Sequence, residues 1–324
     1  MDKKTFRILS LDGGGIRGLY SAKVLAEIEK RYGSSSTIFD LICGTSTGGL
    51  IALGLGLGKS AEEIVEYYKK YGNQIFPINN KIQKIRYTLR QLVISSKYSN
   101  RNLRDSLTEF FGDAKMKDSK CKLCIPTVNL TDAQGIILKT PHSPDFIRDQ
   151  NLKMVDVAIA TSAAPTFFPS AGLDGVSSNC IDGGLWANNP SFIGAIEAVS
   201  YFVGENKEFS KFSILSIGTI SGGKSWYPQK HRTASALRWA TKIFPLTIAV
   251  QSNAMNNLLK IASEKGLFPM GEYIRFEDPL VSPNQLKYID IDNASDQSLT
   301  LLMDLAGATV NKYLGQQRIK EFFK

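Results

Sequence analysis

Ile38-Phe39-Asp40-Leu41-Ile42-Cys43-Gly44-Thr45-Ser46-Thr47-Gly48-Gly49-Leu50-Ile51-Ala52-Leu53 decides how this chain is read. An apolar run stops at a turn of small residues carrying one serine. A second apolar run, rich in Leu, Ala and Gly, follows. That order predicts strand, sharp turn, helix, with Ser46 at the apex. Gly44 and Gly48 flank it as Gly-x-Ser-x-Gly, the nucleophile-elbow pattern, in which glycines allow a tight turn and the serine hydroxyl projects from the end of the sheet. The helix that begins there aims its free N–H groups and positive dipole end at the serine. By itself the pattern also fits a glycine-rich turn with a capping hydroxyl, so the rest of the chain has to decide.

Upstream, Phe6-Arg7-Ile8-Leu9-Ser10-Leu11 reads as the first strand and enters Asp12-Gly13-Gly14-Gly15-Ile16-Arg17-Gly18. Leu19 to Tyr32 then has helical period, with Leu19, Val24, Leu25 and Ile28 on one face. Three consecutive glycines at a helix start leave backbone N–H groups open to an anion, either a phosphate or an oxyanion. Gly13, Gly15 and Gly18 also satisfy the dinucleotide fingerprint G-x-G-x-x-G. That fingerprint needs its acid at the carboxyl end of the second strand. Asp40 precedes Leu41-Ile42-Cys43 instead, so dinucleotide binding is not favoured. Two parallel strand ends side by side, one with an N–H cradle and one with a serine, make a nucleophile and an oxyanion hole.

Downstream, Asn179-Cys180-Ile181-Asp182-Gly183-Gly184 runs a short strand into an Asp-Gly-Gly turn. Asp182 is a turn former taken alone and a candidate general base when set beside Ser46. Histidine is the usual base. Asp182 followed by His231 would fit the α/β-hydrolase order, and His142 fits it less well. The residues alone do not exclude a serine with a carboxylate base either, and they leave the choice open. Ser162-Ala163-Ala164-Pro165-Thr166-Phe167-Phe168-Pro169 is a loop suited to line an acyl pocket.

Strands and helices alternate almost throughout the 324 residues, which argues for one α/β domain. A hydrophobic content of 43% and a charged content of 21% are those of a globular chain with a sizeable core. The N-terminus has no apolar signal core, and the longest apolar stretch is too short for a bilayer, so a cytoplasmic protein is expected. Four cysteines are too few for a disulfide framework. Cys121-Lys122-Leu123-Cys124 has no second ligand pair for zinc, so buried thiols are expected and no metal. The net charge is +9. Residues Tyr67 to Arg104 hold nine Lys and Arg and no acid, and Phe209 to Ser263 hold seven and no acid. Such fields attract polyanions. Within the first window, the spacing at 78, 82, 85, 89 and 92 predicts a basic amphipathic helix, a candidate membrane-surface lid.

Asp12-Gly13-Gly14-Gly15-Ile16-Arg17-Gly18, Gly44-Thr45-Ser46-Thr47-Gly48-Gly49 and Asp182-Gly183-Gly184, in this order, resemble the patatin-like phospholipase family. The segment Ala163 to Pro169 resembles the family's stretch before the catalytic Asp. The resemblance covers about Phe6 to Thr219. It implies a single patatin-like domain over 1–324, with a central, mostly parallel sheet flanked by helices. The motifs occupy about 6–219 and a helical, basic C-terminal part about 220–324. It implies a Ser46–Asp182 dyad that cleaves phospholipid or lysophospholipid acyl esters through an acyl-serine. Gly13, Gly14 and Gly15 would line the oxyanion hole with Arg17, and no cofactor, metal or histidine would be needed. Some bacterial members of similar size are antiviral effectors switched on by cyclic oligonucleotides. For such an activator the second basic window offers Trp226, Tyr227 and Trp239. The expected partners are therefore membrane phospholipid, reached peripherally at the inner face, and a cyclic oligonucleotide. DNA and RNA are not expected, and a homo-oligomer stays open. The competing reading is a non-catalytic nucleotide-binding protein using the Gly13–Gly18 loop.

Overall fold

The strand Lys4–Leu11 (β1) is apolar on both sides, with Phe6, Ile8, Leu9 and Leu11 all inaccessible to solvent. A strand of that kind needs cover on both faces, which is the situation of a parallel sheet between helices. The computed structural model describes residues 4–77, 96–220, 239, 243–276 and 279–324. In chain order after β1 come α1 (Gly18–Tyr32), α2 (Ser35–Ile38), β2 (Leu41–Gly44), α3 (Thr47–Gly56), α4 (Ala61–Ile75) and α5 (Arg101–Phe111). Then follow β3 (Lys122–Asn129), β4 (Gln134–Lys139), α6 (Met154–Thr161), β5 (Ala171–Leu173), β6 (Ser177–Asp182), α7 (Gly184–Ala187) and α8 (Ser191–Tyr201). The described chain ends with β7 (Phe209–Ile217), α9 (Ile243–Glu264), β8 (Met270–Phe276), α10 (Asp296–Tyr313) and α11 (Gln317–Phe322).

These strands form one eight-stranded sheet. β1 pairs with β2 and β7, β2 with β3, and β7 with β8, all parallel. The antiparallel pairs are β3 with β4, β3 with β6, and β5 with β6. The sheet is thus mostly parallel and flanked by helices, as the alternation of elements requires. β5 is a strand that the sequence pattern does not announce: it has three residues, one of them Gly172, and pairs only at the sheet edge.

Side chains alternate across the sheet with period two. Leu9, Leu11, Ile42, Leu123 and Ile125 face a layer containing α1, α3, α4, α6 and α10. Phe6, Ile8, Leu41, Cys43 and Cys124 face the other way, toward α7, α8 and α9. Leu19, Leu25 and Ile28 of α1 are fully buried, each contributing roughly 1.5–3 kcal/mol relative to exposure. The C-terminal helices belong to the same layer: Tyr20 Oη of α1 and Thr309 Oγ1 of α10 are 2.8 Å apart. Ser60 caps α4 in a reciprocal capping box with Glu63, a pairing readable from their spacing.

The candidate lid helix, with Lys81, Lys84, Arg86 and Arg90, lies outside the described residues, as do Trp226, Tyr227 and His231. Several other cations of the first basic window are neutralised. Lys70 pairs with Glu109, Arg104 with Asp156, and buried Lys97 with Asp292. All four cysteines are free thiols, Cys43, Cys124 and Cys180 buried and Cys121 half-buried. Among the described residues, no helix is long and apolar enough to cross a membrane.

Candidate active site

Ser46 sits between the end of β2 and the start of α3 with φ 54° and ψ −121°. That is a left-handed backbone on a residue with a side chain, a strained conformation of the kind that clusters at functional sites. The flanking glycines explain how the turn closes. A Cβ on Gly44 would overlap the Gly48 carbonyl, and one on Gly48 would overlap the Leu11 carbonyl. α3 can therefore press against β1 and β2 only with no side chain at either place. The Ser46 N–H donates to Thr161 Oγ1 at 3.0 Å, and the Thr161 hydroxyl donates to the Pro126 carbonyl at 2.6 Å. Thr45 Oγ1 donates to the Ala187 carbonyl at 2.6 Å. The turn is thus clamped by α6 on one side and α7 on the other.

Topology brings Asp182 to this turn. β4 covers one edge of β3 from Cys124 to Asn129. On the other edge β2 pairs with Lys122–Cys124, and β6 pairs antiparallel with Thr127–Asn129. β2 and β6 therefore run toward each other along one edge of β3, and their ends, Gly44 and Asp182, meet. The Asp182 side chain interacts with the Ser46 hydroxyl and accepts the Gly184 N–H at 2.7 Å. Burial pushes its carboxyl up from 3.8 to about 7, against the opposing effect of those two hydrogen bonds. Gly183 is needed where it stands, because a Cβ there would overlap the Pro126 carbonyl.

The glycine loop lies against the same turn. A Cβ on Gly13 would come within 3.1 Å of Ser46 Cβ. Its residues divide their work differently from the expectation. The Gly13 N–H already donates to the Asn188 carbonyl at 3.1 Å, so it does not face an oxyanion in this conformation. Arg17 is buried and turned into the loop, donating from Nε to the Gly14 carbonyl at 3.1 Å and from Nη1 to Ile220 at 2.7 Å. It braces the cradle rather than lining it. The N–H groups of Gly14 and Gly15 have no hydrogen-bond partner among the described residues. Gly15 has φ 61°, and a Cβ there would overlap the Ile291 carbonyl, so glycine is required.

Gly14, Gly15, Ser46 and Asp182 line one cleft. Its other walls are mainly apolar, including Tyr67, Ile75, Phe76, Phe168, Phe244 and Ile248. Ser162, Ala164, Phe167 and Phe168 of the small-residue loop do line it. An apolar cleft with a few converging polar groups is the usual form of a small-molecule site. Here the polar groups are a hydroxyl, a carboxyl of raised pKa and two open N–H groups.

Four supporting side chains carry no motif signal strong enough to find them. Asn188 Nδ2 donates to Ser252 Oγ at 2.8 Å, and Ser252 Oγ donates to Asp12 Oδ2 at 3.1 Å. Arg275 of β8 holds Asp12 with two N–H donors at 3.0 and 2.7 Å. Thr219 Oγ1 donates to the Gly13 carbonyl at 2.7 Å. Ser252 and Arg275 come from the part of the chain whose sequence is least informative. The packing of α9 and the pairing of β8 with β7 place them here.

Asp40 is at the wrong end of the sheet for a ribose: its carboxylate accepts the Arg7 N–H at 2.8 Å near the start of β1. His142 is remote from Ser46 and bonds through Nε2 to Glu197 Oε1 at 2.9 Å. Cys124, His142 and Glu197 bring possible ligand atoms within 4.8 Å of one another. The carboxylate there is already satisfied, with Lys139 Nζ at 2.6 Å on its other oxygen. That arrangement is a neutralised ion-pair network. The cleft itself offers one carboxylate and no imidazole or thiol among its described walls.

A family model described as patatin-like phospholipase matches residues 9–193. A cGAMP-activated phospholipase of Escherichia coli is 33% identical, over 100% of this chain and 94% of its own. One of Vibrio cholerae is 34% identical, over 99% of this chain and 95% of its own. Patatin-like protein 1 of Arabidopsis thaliana is 31% identical, over 84% of this chain and 74% of its own.

Proposed function

This chain belongs to the patatin-like phospholipase family, and we propose that it hydrolyses acyl esters of membrane phospholipids with a Ser46–Asp182 dyad. The observation that carries the proposal is the meeting of a strained serine and a buried carboxyl in one apolar cleft. Asp182 takes the proton of Ser46 Oγ as that oxygen attacks the acyl carbonyl carbon. The carbonyl oxygen becomes an oxyanion that the Gly14 and Gly15 N–H groups stabilise. The tetrahedral intermediate collapses, the ester C–O bond breaks, and the leaving alkoxide takes the proton from Asp182. Water then gives its proton to Asp182 and attacks the acyl-serine. The fatty acid departs, and the proton returns to Ser46. The aromatic and aliphatic walls hold the acyl chain. Arg17, Asn188 and Thr219 keep the glycine loop in shape.

The relatives named cGAMP-activated phospholipases match nearly the whole chain. We infer the same control here: a cyclic dinucleotide raises hydrolysis, and the protein works peripherally at the inner membrane face. The test is fatty-acid release from phospholipid vesicles with and without cGAMP, together with labelling of Ser46 by a fluorophosphonate. Release that rises with cGAMP, and labelling lost in Ser46→Ala, are expected. Full release by Asp182→Ala would sink the dyad. Absence of labelling would favour a non-catalytic nucleotide-binding protein.

A further inference from the structure

Lys97 and Asp292 are buried charges with no part in the proton transfers above, 7% and 9% exposed. They form an ion pair, Lys97 Nζ on Asp292 Oδ2, and the Tyr98 hydroxyl donates to the same oxygen at 2.9 Å. Apolar side chains of similar volume often fill such a place with no loss of stability. An ion pair with a third donor differs from them in fixing one geometry.

The backbone on either side of the pair belongs to the cleft. On one side, the Lys97 and Tyr98 N–H groups donate to the Thr166 and Phe167 carbonyls, both at 2.8 Å. Thr166 has φ 71°, a left-handed backbone on a β-branched residue that its surroundings must hold in place. Lys97 Nζ lies 5.5 Å from the centre of the Phe167 ring, and the Tyr98 ring packs on Phe76 and Phe168 at 5.5 and 5.7 Å. Those three phenylalanines are walls of the cleft. On the other side, Asp292 follows Ile291, whose carbonyl accepts the Ile16 N–H at 2.9 Å and lies against Gly15. Residues 289–295 belong to no helix or strand, so side chains hold them. Ile289 and Ala294 are buried at the two ends of this stretch, and Asp292 ties its middle to Lys97 and Tyr98.

We propose that Lys97 and Asp292, with Tyr98, are positioning residues of the oxyanion hole. They keep the Ile291 carbonyl on the Ile16 N–H, and so keep the open Gly15 N–H in place. Neither charge is among the described walls of the cleft, so neither touches the substrate. The proposal rests on the acyl-hydrolase reading above, in which that N–H meets the oxyanion. A donor of this kind acts on the transition state, so displacing it lowers kcat and spares KM.

The test uses the full chain and a soluble short-chain p-nitrophenyl ester, with active sites titrated to completion by a fluorophosphonate. Amide hydrogen exchange over residues 12–20 is measured beside it. Lys97→Met/Asp292→Leu removes both charges and strands neither. Its kcat is expected to fall by about tenfold or more, with KM within about twofold. The midpoint of its pH–rate profile should stay at the wild-type position, because Asp182 is untouched. Exchange over residues 12–20 should quicken by about tenfold. If circular dichroism shows that this variant does not fold, Tyr98→Phe carries the same comparison. It loses one hydrogen bond and keeps the ion pair, and should lower kcat about two- to threefold. Wild-type kcat and wild-type exchange in a folded variant overturn the proposal. A loss confined to KM, or a shifted pH midpoint, also overturns it, by placing the effect on the acyl wall or on Asp182. A wild type that neither hydrolyses the ester nor labels, while exchange still quickens in the variant, leaves the clamp on the glycine loop standing and breaks the hydrolase reading.

Discussion

Asp182 and Glu197 are both buried carboxyls close to the same central strand, and the protein holds them in opposite states. Asp182, at the end of β6, meets one backbone N–H and one hydroxyl and, among the described residues, no cation. Burial dominates, and its carboxyl is pushed up to about 7. Glu197, on α8, is also penalised by burial, but hydrogen bonds from His142 and Lys139 outweigh that penalty and lower its pKa. The first carboxyl can exchange a proton near neutral pH, which a general base requires. The second is a fixed charge inside a neutral network. The difference shows that burial of an acid is not by itself a sign of chemistry; the donors around it decide.

The comparison breaks most visibly at the dyad. Ser46→Ala and Asp182→Ala should each lower fatty-acid release by about 10⁴-fold, measured on vesicles with protein of unchanged circular dichroism. His231→Ala should retain activity, and its loss would move the base away from Asp182.

The pH dependence sharpens it next. Asp182 must be ionised to act, so kcat/KM on a soluble ester should rise with pH through about 7, roughly tenfold per unit below it. A flat profile from pH 5 to 8 would remove the special status of this carboxyl. Stability has the opposite sign. The folded-state pKa is above the unfolded one, so the native state binds the extra proton. Stability is full below the unfolded value of about 4 and is lost as pH rises toward 7. Asp182→Asn should therefore gain stability at pH 8, by up to about 4 kcal/mol, and little at pH 4, as read by urea unfolding.

Glu197→Gln should do the reverse. Removing one member of the buried Lys139–Glu197–His142 network costs about 3 kcal/mol in urea unfolding. The rate per active site, titrated by fluorophosphonate, should stay within about twofold. Parallel losses of rate and stability would mean that the two clusters are coupled. The smallest effect belongs to Ser252→Ala, which cuts the link between Asp12 and Asn188. It should cost about 1 kcal/mol in stability. A several-fold fall in kcat with KM unchanged would show that the link holds the glycine loop in position.

Much of this was legible in local residue patterns. The elbow at Ser46, the glycine turn after β1, the strand into Asp182, the capping box at Ser60 and the late strand β8 all rest on interactions within a few residues. Such signals survive in one dimension. β5 was not legible because three residues carry no periodicity. The division of labour in the glycine loop was not legible either: whether Gly13 or Gly14 keeps a free N–H depends on Asn188, far along the chain. Arg17 beside three glycines suggests a cation for an oxyanion, yet the Gly14 and Ile220 carbonyls claim it.

By itself, then, the sequence determined the α/β class, the family, and the identity of a serine, a glycine cradle and an aspartate as the residues to watch, because each sits in a turn whose geometry its own neighbours impose. Only the tertiary structure decided that β2 and β6 meet end to end on one edge of β3, which joins Ser46 to Asp182. It alone decided that α9 lines the cleft with Phe244 and Ile248 on one face and turns Val250 and Leu258 outward on the other. Both depend on strand pairing and helix packing between distant segments, and those are settled by the burial of the whole core rather than by any stretch within it.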